Sequence, residues 1–399
     1  MSIFDRRYET MPRAELEQFQ LERLQSLLVR LKHNVHRFRE TLADVQVESL
    51  SDLTRLPFTT PENMVESFPY GMFAFPLREV IRLHTTVGPE GKPLVIGHTR
   101  NDLAHWGRLV ARQLVASGVT ANDVIQICLG GGIYPAASGY VLGAELIEAS
   151  VISEDPFHLD YQLAMQQNYR STFLITTPTN ALELMRLMVK RQIDARSLHL
   201  RTVLLSRPAD KATREQLETG LCAKIQSTFG IGEILDPGLS VECEAGQFHV
   251  HEDQFLAEVC DGELVITTLA REAMPLLRYR TRVVCELSRD PCTCGRTGVA
   301  IRPGKRLDRR LCVNERPLYE SQITEVLAQT GVAGRPFHVE VSDRRIMIGV
   351  EMSEELLTDR MWVLEQLKRE TESEFLARLG VEAEVRFIQP ARKSWLEST

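Results

Sequence analysis

Long apolar runs are missing from this sequence of 399 residues. No stretch approaches the roughly 20 apolar residues of a membrane-spanning helix, which argues against a membrane protein. Residues 1–7 also lack the apolar core of a secretory signal peptide, so we expect a cytoplasmic protein. In that compartment the 8 Cys are expected to be free thiols or metal ligands rather than a disulfide framework.

An excess of positive charge is also lacking. Lys and Arg number 47 against 54 Asp and Glu, which gives a net charge of -7. A nucleic-acid-binding protein needs a clustered basic surface, so this balance argues against one. The sequence shows no internal repeat or low-complexity tract, and hydrophobic residues make up 43% of it, as is usual for a globular protein.

Short apolar runs alternate with helical patterns in the first part of the chain. Strands are predicted at 124–129, 150–153, 173–176 and 202–205, with helical segments between them. Such alternation is typical of an α/β fold with a mostly parallel sheet and helices on both faces. After about Asp253 the pattern changes to short strands.

The C-terminal part of the chain has a different pattern. Residues 284–316 are rich in Cys, Arg, Pro and Gly and are interpreted as a linker region. Helical segments and strands mix beyond it, as in a small α+β domain. We therefore expect a large N-terminal domain over residues 1–305 and a small C-terminal domain over residues 306–399.

Several separate motifs resemble those of one enzyme family. They lie at residues 9–13, 56–63, 269–281 and 292–297, in order along nearly the whole chain. They are similar to the motifs of the phenylacetate–CoA ligases, a family of the acyl-adenylating superfamily. The resemblance implies a large N-terminal domain with an acyl pocket, a mobile C-terminal domain, and an active site between them. It also implies chemistry on a carboxylate, an acyl-adenylate and a CoA thioester.

Several positions depart from what the resemblance implies for ATP. In the phosphate loop, Pro89 removes a backbone donor and Glu90 adds a negative charge. Arg207 replaces a glutamate of the adenine pocket, and Val283 replaces an aspartate that holds the ribose hydroxyls. Near the C-terminus, Lys393 stands in a context that does not match the family's catalytic lysine. These losses lead us to expect that ATP and magnesium are not used.

The residues of the acyl pocket persist by the same resemblance. A glycine-rich turn matches the family's pocket loop, although an ordinary strand-to-helix turn is the alternative. A second motif, at residues 230–238, matches one wall of the pocket. The predicted pocket residues are Gly131, Gly132, Tyr134, Gly230, Ile234 and Pro237.

Four residues are candidates for a catalytic role. His84 is either a general base or a structural histidine. Cys128 and Cys312 fall nearest the expected cleft, but the sequence shows no partner that would lower the pKa of either thiol. Glu233 matches the family's magnesium-linked glutamate, and a structural role is the alternative.

Three Cys and one His are predicted to bind a structural zinc. Cys292 and Cys294 stand on a tight Cys-x-Cys-Gly turn, and Cys243 and His249 complete a Cys₃His set typical of structural zinc sites. The resemblance supports this, because some members of the family carry zinc at the matching positions. His251 is a possible substitute for His249, and four unliganded residues are the alternative.

A basic segment opens the predicted C-terminal domain, next to Asp308, the expected hinge. Arg309, Arg310 and Arg316 are predicted to bind the phosphates of CoA or the acidic helix of a carrier protein. The alternative is a solvated basic loop.

The leading interpretation is an acyltransferase with a CoA thioester as substrate. It would move an aromatic acyl group between CoA and the phosphopantetheine of an acyl carrier protein without ATP, in a natural-product pathway. Proximity and an oxyanion donor would suffice, because exchange between thioesters is nearly balanced in energy. An ATP-dependent aryl-CoA ligase (for phenylacetate, benzoate or anthranilate) is the alternative. A non-catalytic scaffold that binds acyl-CoA or carrier protein is the second alternative. Neither nucleic acid nor membrane is an expected partner, and a homodimer is a possible assembly.

Overall fold

The computed structural model describes residues 2–89, 92–129, 136–153, 158–308, 310–313, 316–342, 345–352 and 361–388. The chain divides into two compact units. The first consists of Met1–Thr86 with Pro93–Leu307, and the second of Val87–Lys92 with Asp308–Thr399. No helix in the described ranges combines the length and apolar character needed to cross a membrane.

The first unit opens with helices. They are α1 (Arg6–Glu9), α2 (Arg13–Asn34), α3 (His36–Thr41) and α4 (Pro61–Glu66), with 3₁₀ turns at Leu50–Arg55 and Leu77–Glu79. Helix α2 buries Leu24, Leu27 and Leu31, because residues three or four apart share one face. Strands β1 (Arg82–Val87) and β2 (Pro93–His98) then form a two-stranded sheet before helix α5 (Arg100–Ala116).

Parallel strands and helices alternate over the next part of the chain. The strands are β3 (Val124–Cys128), β4 (Ser150–Ser153), β5 (Phe173–Thr176), β6 (Thr202–Leu205) and β7 (Lys224–Ile231). Between them lie helices α6 (Ala136–Ile147), α7 (Leu159–Tyr169), α8 (Pro178–Lys190) and α9 (Lys211–Leu221), and a 3₁₀ turn at Ala195–Ser197. Strands β5 and β6 are buried along their whole length, as expected when helices cover both faces of a parallel sheet.

The same sheet continues with antiparallel strands. They are β8 (Leu235–Glu242), β9 (Phe248–Val250), β10 (Phe255–Cys260), β11 (Glu263–Thr268), β12 (Tyr279–Ser288) and β13 (Ala300–Arg306). In the described part of the chain the sheet has 11 strands in the order β10-β11-β12-β13-β9-β8-β7-β6-β5-β3-β4. The interpretation of residues 284–316 as a linker is wrong, because β12 and β13 place residues 284–288 and 300–306 inside the sheet.

The second unit is an α+β structure. It contains β14 (Arg310–Val313), β15 (Arg316–Tyr319), α10 (Glu320–Leu327), β16 (Phe337–Ser342), β17 (Arg345–Glu351), α11 (Met361–Leu379) and β18 (Glu382–Ile388). Strand β17 pairs antiparallel with β16 and parallel with β18. Ile346, Ile348 and Phe375 are fully buried between this sheet and its helices. The predicted α/β fold class with a small α+β C-terminal domain is confirmed.

Candidate functional site

Two of the motifs that sequence analysis singled out lie against each other. Thr59, from the segment at residues 56–63, donates its backbone N–H to the carbonyl of Leu277 at 3.1 Å and its hydroxyl to the same carbonyl at 2.6 Å. Thr59 also forms a parallel bridge with Tyr279 at the start of β12. The contact joins segments about 220 residues apart and fixes the position where β12 enters the sheet.

Arg278 anchors this junction. Its guanidinium forms two hydrogen bonds, of 2.9 and 3.0 Å, with the carboxylate of Glu258, and a third of 2.9 Å with the carbonyl of Leu56. The ring of Phe58 lies 4.2 Å from the Arg278 guanidinium carbon. The bidentate ion pair and the stacked ring together satisfy a buried cation, so the motif has a structural function here.

The predicted pocket wall consists of the end of β7, the turn at residues 232–234 and the start of β8. A Cβ on Gly230 would overlap the Asp236 carboxylate and lie 2.9 Å from its Cα, so only glycine fits this position. The carbonyl of Pro237 accepts a hydrogen bond of 2.6 Å from the indole of Trp106, and Ile234 is completely buried. The wall is therefore held rigidly from the side of helix α5.

The remaining predicted pocket residues are Gly131, Gly132 and Tyr134, which lie outside the described residues. Glu90 in the phosphate loop and Lys393 near the C-terminus lie outside them as well. The acyl pocket as a whole stays a prediction, with its Gly230–Pro237 wall described.

His84 lies on β1 and is paired with a second histidine. Its Nδ1 is 3.3 Å from Nε2 of His98, and the two rings stack with their centroids 5.1 Å apart. The ring of His98 in turn stacks on Trp106 at 5.2 Å. Burial, followed by the charges of Arg271 and Arg82, lowers the pKa of His84 to about 4. His84 is therefore neutral at pH 7.

Sequence analysis missed three members of this cluster, namely His98, Trp106 and Arg271. They lie on different elements, and no spacing in the chain signals that their side chains meet.

The other catalytic candidates whose side chains are described are both buried. Cys128 is fully buried at the end of β3, where its sulfur accepts a hydrogen bond of 3.5 Å from the amide of Gln126. Glu233 is 4% exposed in the turn before β8. Cys312 lies on β14, and its side chain is not among those described. A nucleophilic thiol must reach its substrate, which the burial of Cys128 does not favour.

The positions that depart from the family's nucleotide motifs have clear structural settings. Along β12 buried residues alternate with half-buried ones. Val283 is one of the buried residues, with 4% of its surface exposed, and it packs in the main hydrophobic core. Arg207, which follows β6, is half-buried. The side chain of Val283 thus belongs to the hydrophobic core, and it offers no acceptor to a hydroxyl.

The four predicted metal ligands converge. The ligand atoms of Cys243, His249, Cys292 and Cys294 all lie within 4.8 Å of one another. The sulfurs of Cys243 and Cys292 are 3.8 Å apart, and the sulfur of Cys294 is 3.4 Å from Nε2 of His249. Tetrahedral zinc with Zn–S bonds of about 2.3 Å places its sulfurs about 3.8 Å apart, so the cluster has the dimensions of a zinc site.

The surroundings of the cluster suit a metal as well. Nδ1 of His249 is 2.7 Å from the carbonyl of Gly298, which directs Nε2 with its lone pair toward the thiols. Burial and the neighbouring Cys292 and Cys243 raise the pKa of Cys294 to about 11. A bound cation would lower this pKa, because it favours the thiolate. His251, the alternative ligand, is not part of the group.

The basic segment of the second unit is described only in part. Strands β14 and β15 form a hairpin in which Arg310 is opposite Tyr319 and Val313 is opposite Arg316. Arg309 lies outside the described residues, and the side chains of Arg310 and Arg316 are not described. Binding of CoA or a carrier protein by these residues stays a prediction.

The chain is similar to named CoA ligases over most of its length. It is 36% identical to a phenylacetate-coenzyme A ligase of Thermus thermophilus over 340 residues, which cover 80% of this chain and 76% of the relative. It is 30% identical to one of Aromatoleum evansii, covering 94% and 91%, and 29% identical to one of Escherichia coli, covering 95% and 92%. No model of a protein family matches the chain.

A solved structure shares the fold. The crystal structure of a 2-hydroxyisobutyryl-CoA ligase in complex with 2-HIB-AMP and CoA superposes with a TM-score of 0.86. The match covers 98% of this chain and 90% of that one at 22% identity. A second structure of the same ligase, in the postadenylation state, gives a TM-score of 0.71.

These relatives overturn one expectation from the sequence. The prediction that ATP and magnesium are not used is wrong, because the relatives are CoA ligases and a ligase of this fold holds an acyl-adenylate and CoA. The prediction took the altered residues together as the loss of the whole nucleotide site. A changed side chain removes one or two hydrogen bonds, which lowers affinity without abolishing a site built from many contacts.

Proposed function

Because the chain belongs to the phenylacetate–CoA ligase family, we propose that it activates an aromatic carboxylic acid with ATP and joins the acyl group to CoA. This is the activity that sequence analysis ranked second. The proposal rests on the sequence similarity to the named ligases over most of the chain. Attack of a thiol on a carboxylate is unfavourable, and adenylation supplies the leaving group that makes thioester formation possible.

The described residues support a site for a flat acid. The segment of the predicted wall brings backbone close to backbone at Gly230, and its residues Ile234 and Pro237 are apolar and buried. Such a wall orients a ring, which is how a ligase positions a carboxylate for reaction. Glu233 stands in the same segment and is the residue that we assign to magnesium, a cation that prefers carboxylate oxygens.

The ribose of the nucleotide would be held differently in this chain than the family motif implies. Since Val283 belongs to the core, the ribose hydroxyls need acceptors elsewhere. We therefore expect a higher KM for ATP than in a ligase with aspartate at this position.

A structural zinc completes the proposal. The donor set Cys243, His249, Cys292 and Cys294 fits a closed tetrahedral site with no open position for substrate. Zinc there would tie the loop after β8 to the turn before β13. The zinc would stabilise the folded protein and would take no part in the reaction.

Carboxylate-dependent exchange of pyrophosphate into ATP tests the proposal directly. Phenylacetate, benzoate and anthranilate would be supplied in turn, followed by CoA with detection of the thioester and AMP. We expect exchange with at least one acid, and a large loss of rate in Glu233→Gln. The matched control Glu286→Gln, whose side chain is 76% exposed, should keep the wild-type rate. Absence of exchange and of thioester with all three acids and ATP would refute the ligase activity.

The same assay identifies the acceptor thiol. CoA and an acyl carrier protein both end in phosphopantetheine, so the carrier protein predicted from the sequence stays a candidate acceptor. Intact-protein mass spectrometry of a carrier protein, with CoA omitted, would show an added acyl group if it is used. An unmodified carrier beside abundant acyl-CoA would restrict the enzyme to CoA.

A further inference from the structure

Asp236 is the accessible acid of the predicted pocket wall. This wall segment, residues 230–238, contains two acidic residues, and the others are apolar or glycine. Glu233 is 4% exposed, whereas Asp236 is half-buried and keeps part of its surface accessible. The neighbours of Asp236 in the chain, Leu235 and Pro237, are buried. The carboxylate of Asp236 thus gives an otherwise apolar wall one accessible hydrogen-bond acceptor.

The glycine at position 230 determines where this carboxylate lies. A Cβ on Gly230 would be 2.9 Å from the carboxylate carbon of Asp236 and 2.9 Å from its Cα. The side chain of Asp236 therefore lies directly against the backbone of Gly230, in space that a larger residue at position 230 would fill. The end of β7 and the start of β8 together fix the carboxylate on the wall.

The second predicted pocket motif approaches the same carboxylate through helix α6. This helix begins at Ala136, directly after the predicted pocket loop. Tyr140 of α6 is fully buried, and its hydroxyl is 3.2 Å from the hydroxyl of Thr228 on β7. Burial raises the pKa of Tyr140, the Thr228 hydroxyl opposes this, and the negative charge of Asp236 adds to the rise. The carboxylate of Asp236 is therefore near both β7 and α6, the elements next to the two predicted pocket motifs.

The hydration of this carboxylate limits which rings can pack against it. A carboxylate that loses water without gaining a hydrogen bond is strongly disfavoured. Each carboxylate oxygen accepts up to two hydrogen bonds, so Asp236 can serve donors of the protein and also accept one from a ligand. A ring that covers Asp236 without donating to it would remove water and supply no replacement.

We propose that Asp236 makes the enzyme selective for an aromatic acid whose ring carries a hydrogen-bond donor, an amino or a hydroxyl group. The ring packs against Ile234 and Pro237, and its N–H or O–H donates to the Asp236 carboxylate. This inference rests on the proposed ligase function and on the predicted acyl pocket, and it names the class of acid that the pocket accepts. Unsubstituted acids are rejected because they leave the carboxylate without its partner.

Binding of free acids to the whole protein tests this selectivity without relying on turnover. Isothermal titration calorimetry would compare benzoate with each isomer of aminobenzoate and of hydroxybenzoate. We expect at least one donor-bearing isomer to bind about tenfold or more tighter than benzoate, as the loss of one hydrogen bond to a charged group implies. Comparison of the amino and hydroxyl isomers identifies the donor.

Substitution of Asp236 assigns the preference to this residue. Asp236→Asn keeps the shape of the side chain and removes the charge, so the preference over benzoate should shrink. Asp236→Gly removes the acceptor, so benzoate and the preferred acid should bind about equally, and this variant serves if the asparagine variant does not fold. The control Asp261→Asn, whose side chain is 89% exposed, should keep the wild-type preference.

Two results would overturn the role of Asp236. One is a wild-type protein that binds no donor-bearing acid more tightly than benzoate. The other is a preference that persists unchanged in both Asp236 variants. Pyrophosphate exchange is a separate readout, since its absence with every acid refutes the ligase activity, whereas the order of the binding affinities tests Asp236 alone.

Discussion

Arg296 forms a buried ion pair with Glu9, 287 residues earlier in the chain. Nε of Arg296 lies 2.9 Å from the Glu9 carboxylate, and the two side chains are 5% and 2% exposed. Arg296 follows directly after the Cys292–Gly295 turn of the metal cluster and also donates to the carbonyl of Ser2 at 2.9 Å. The metal-binding turn is thereby connected to the N-terminal segment of the first unit.

Removal of one partner of this pair should be strongly destabilising. In Arg296→Met the Glu9 carboxylate loses its cation inside the protein, and we expect the free energy of unfolding to fall by about 3–5 kcal/mol. Urea unfolding measures the loss. Arg302→Met, which breaks an exposed pair with Glu286, should change stability by less than about 1 kcal/mol. A double variant, Glu9→Gln with Arg296→Met, should recover part of the loss, and no recovery would contradict this account.

The metal cluster should contain one zinc per chain in protein purified without chelator. Cys243→Ala removes one of four ligands, so zinc content should drop and Tm should fall with it. Elemental analysis and thermal unfolding check both effects. Cys222→Ala, which alters an exposed thiol outside the cluster, should leave both unchanged. Wild-type protein with well under one zinc per chain would refute the site.

Gly230, near the end of β7, should tolerate no side chain. In Gly230→Ala the new Cβ meets the Asp236 backbone, and we expect a loss of about 1–3 kcal/mol in stability together with a lower kcat/KM for the acid. Gly232→Ala is the comparison, because there the Cβ meets only the side chain of Thr86, with its hydroxyl at 3.1 Å. Steady-state kinetics and urea unfolding would be measured for both. Equal effects in the two variants would contradict the packing argument.

The stacked histidines should make the protein less stable in mild acid. Burial and nearby arginines hold the folded-state pKa of His84 at about 4, below its ordinary value of 6.5, and that of His98 is also lowered. At pH values between about 4 and 6.5 the unfolded chain binds more protons than the folded protein. The contribution of these histidines to the free energy of unfolding is therefore fully present above pH 6.5 and is lost as the pH falls. The loss is at most about 1.4 kcal/mol per pH unit for each proton.

Urea unfolding at pH 7.5 and 5.5 measures this dependence. His98→Phe keeps an aromatic ring on Trp106 and removes a titrating group, so its stability should vary less with pH. His33→Gln changes an exposed histidine and should keep the wild-type dependence. An identical dependence in His98→Phe and the wild type would show that this pair is not responsible.

The sequence by itself determined the elements and the fold class. Predicted strands at 150–153, 173–176 and 202–205 coincide with β4, β5 and β6. Strands β5 and β6 are buried and parallel, and such strands are short apolar runs bounded by polar residues. The metal cluster was also predictable in its composition, since Cys-x-Cys-Gly is a local signal and the number of available thiols is small. Whether zinc occupies it stays a prediction.

The tertiary structure alone decided which distant side chains meet. The stack of His84, His98 and Trp106 and the Glu9–Arg296 pair join elements whose contact leaves no periodic trace in the sequence. The same holds for residues 284–316, where frequent Pro and Gly predict a linker although pairing with neighbouring strands places residues 284–288 and 300–306 in the sheet. Local propensity describes one segment at a time, whereas burial and charge compensation depend on what the fold brings alongside it.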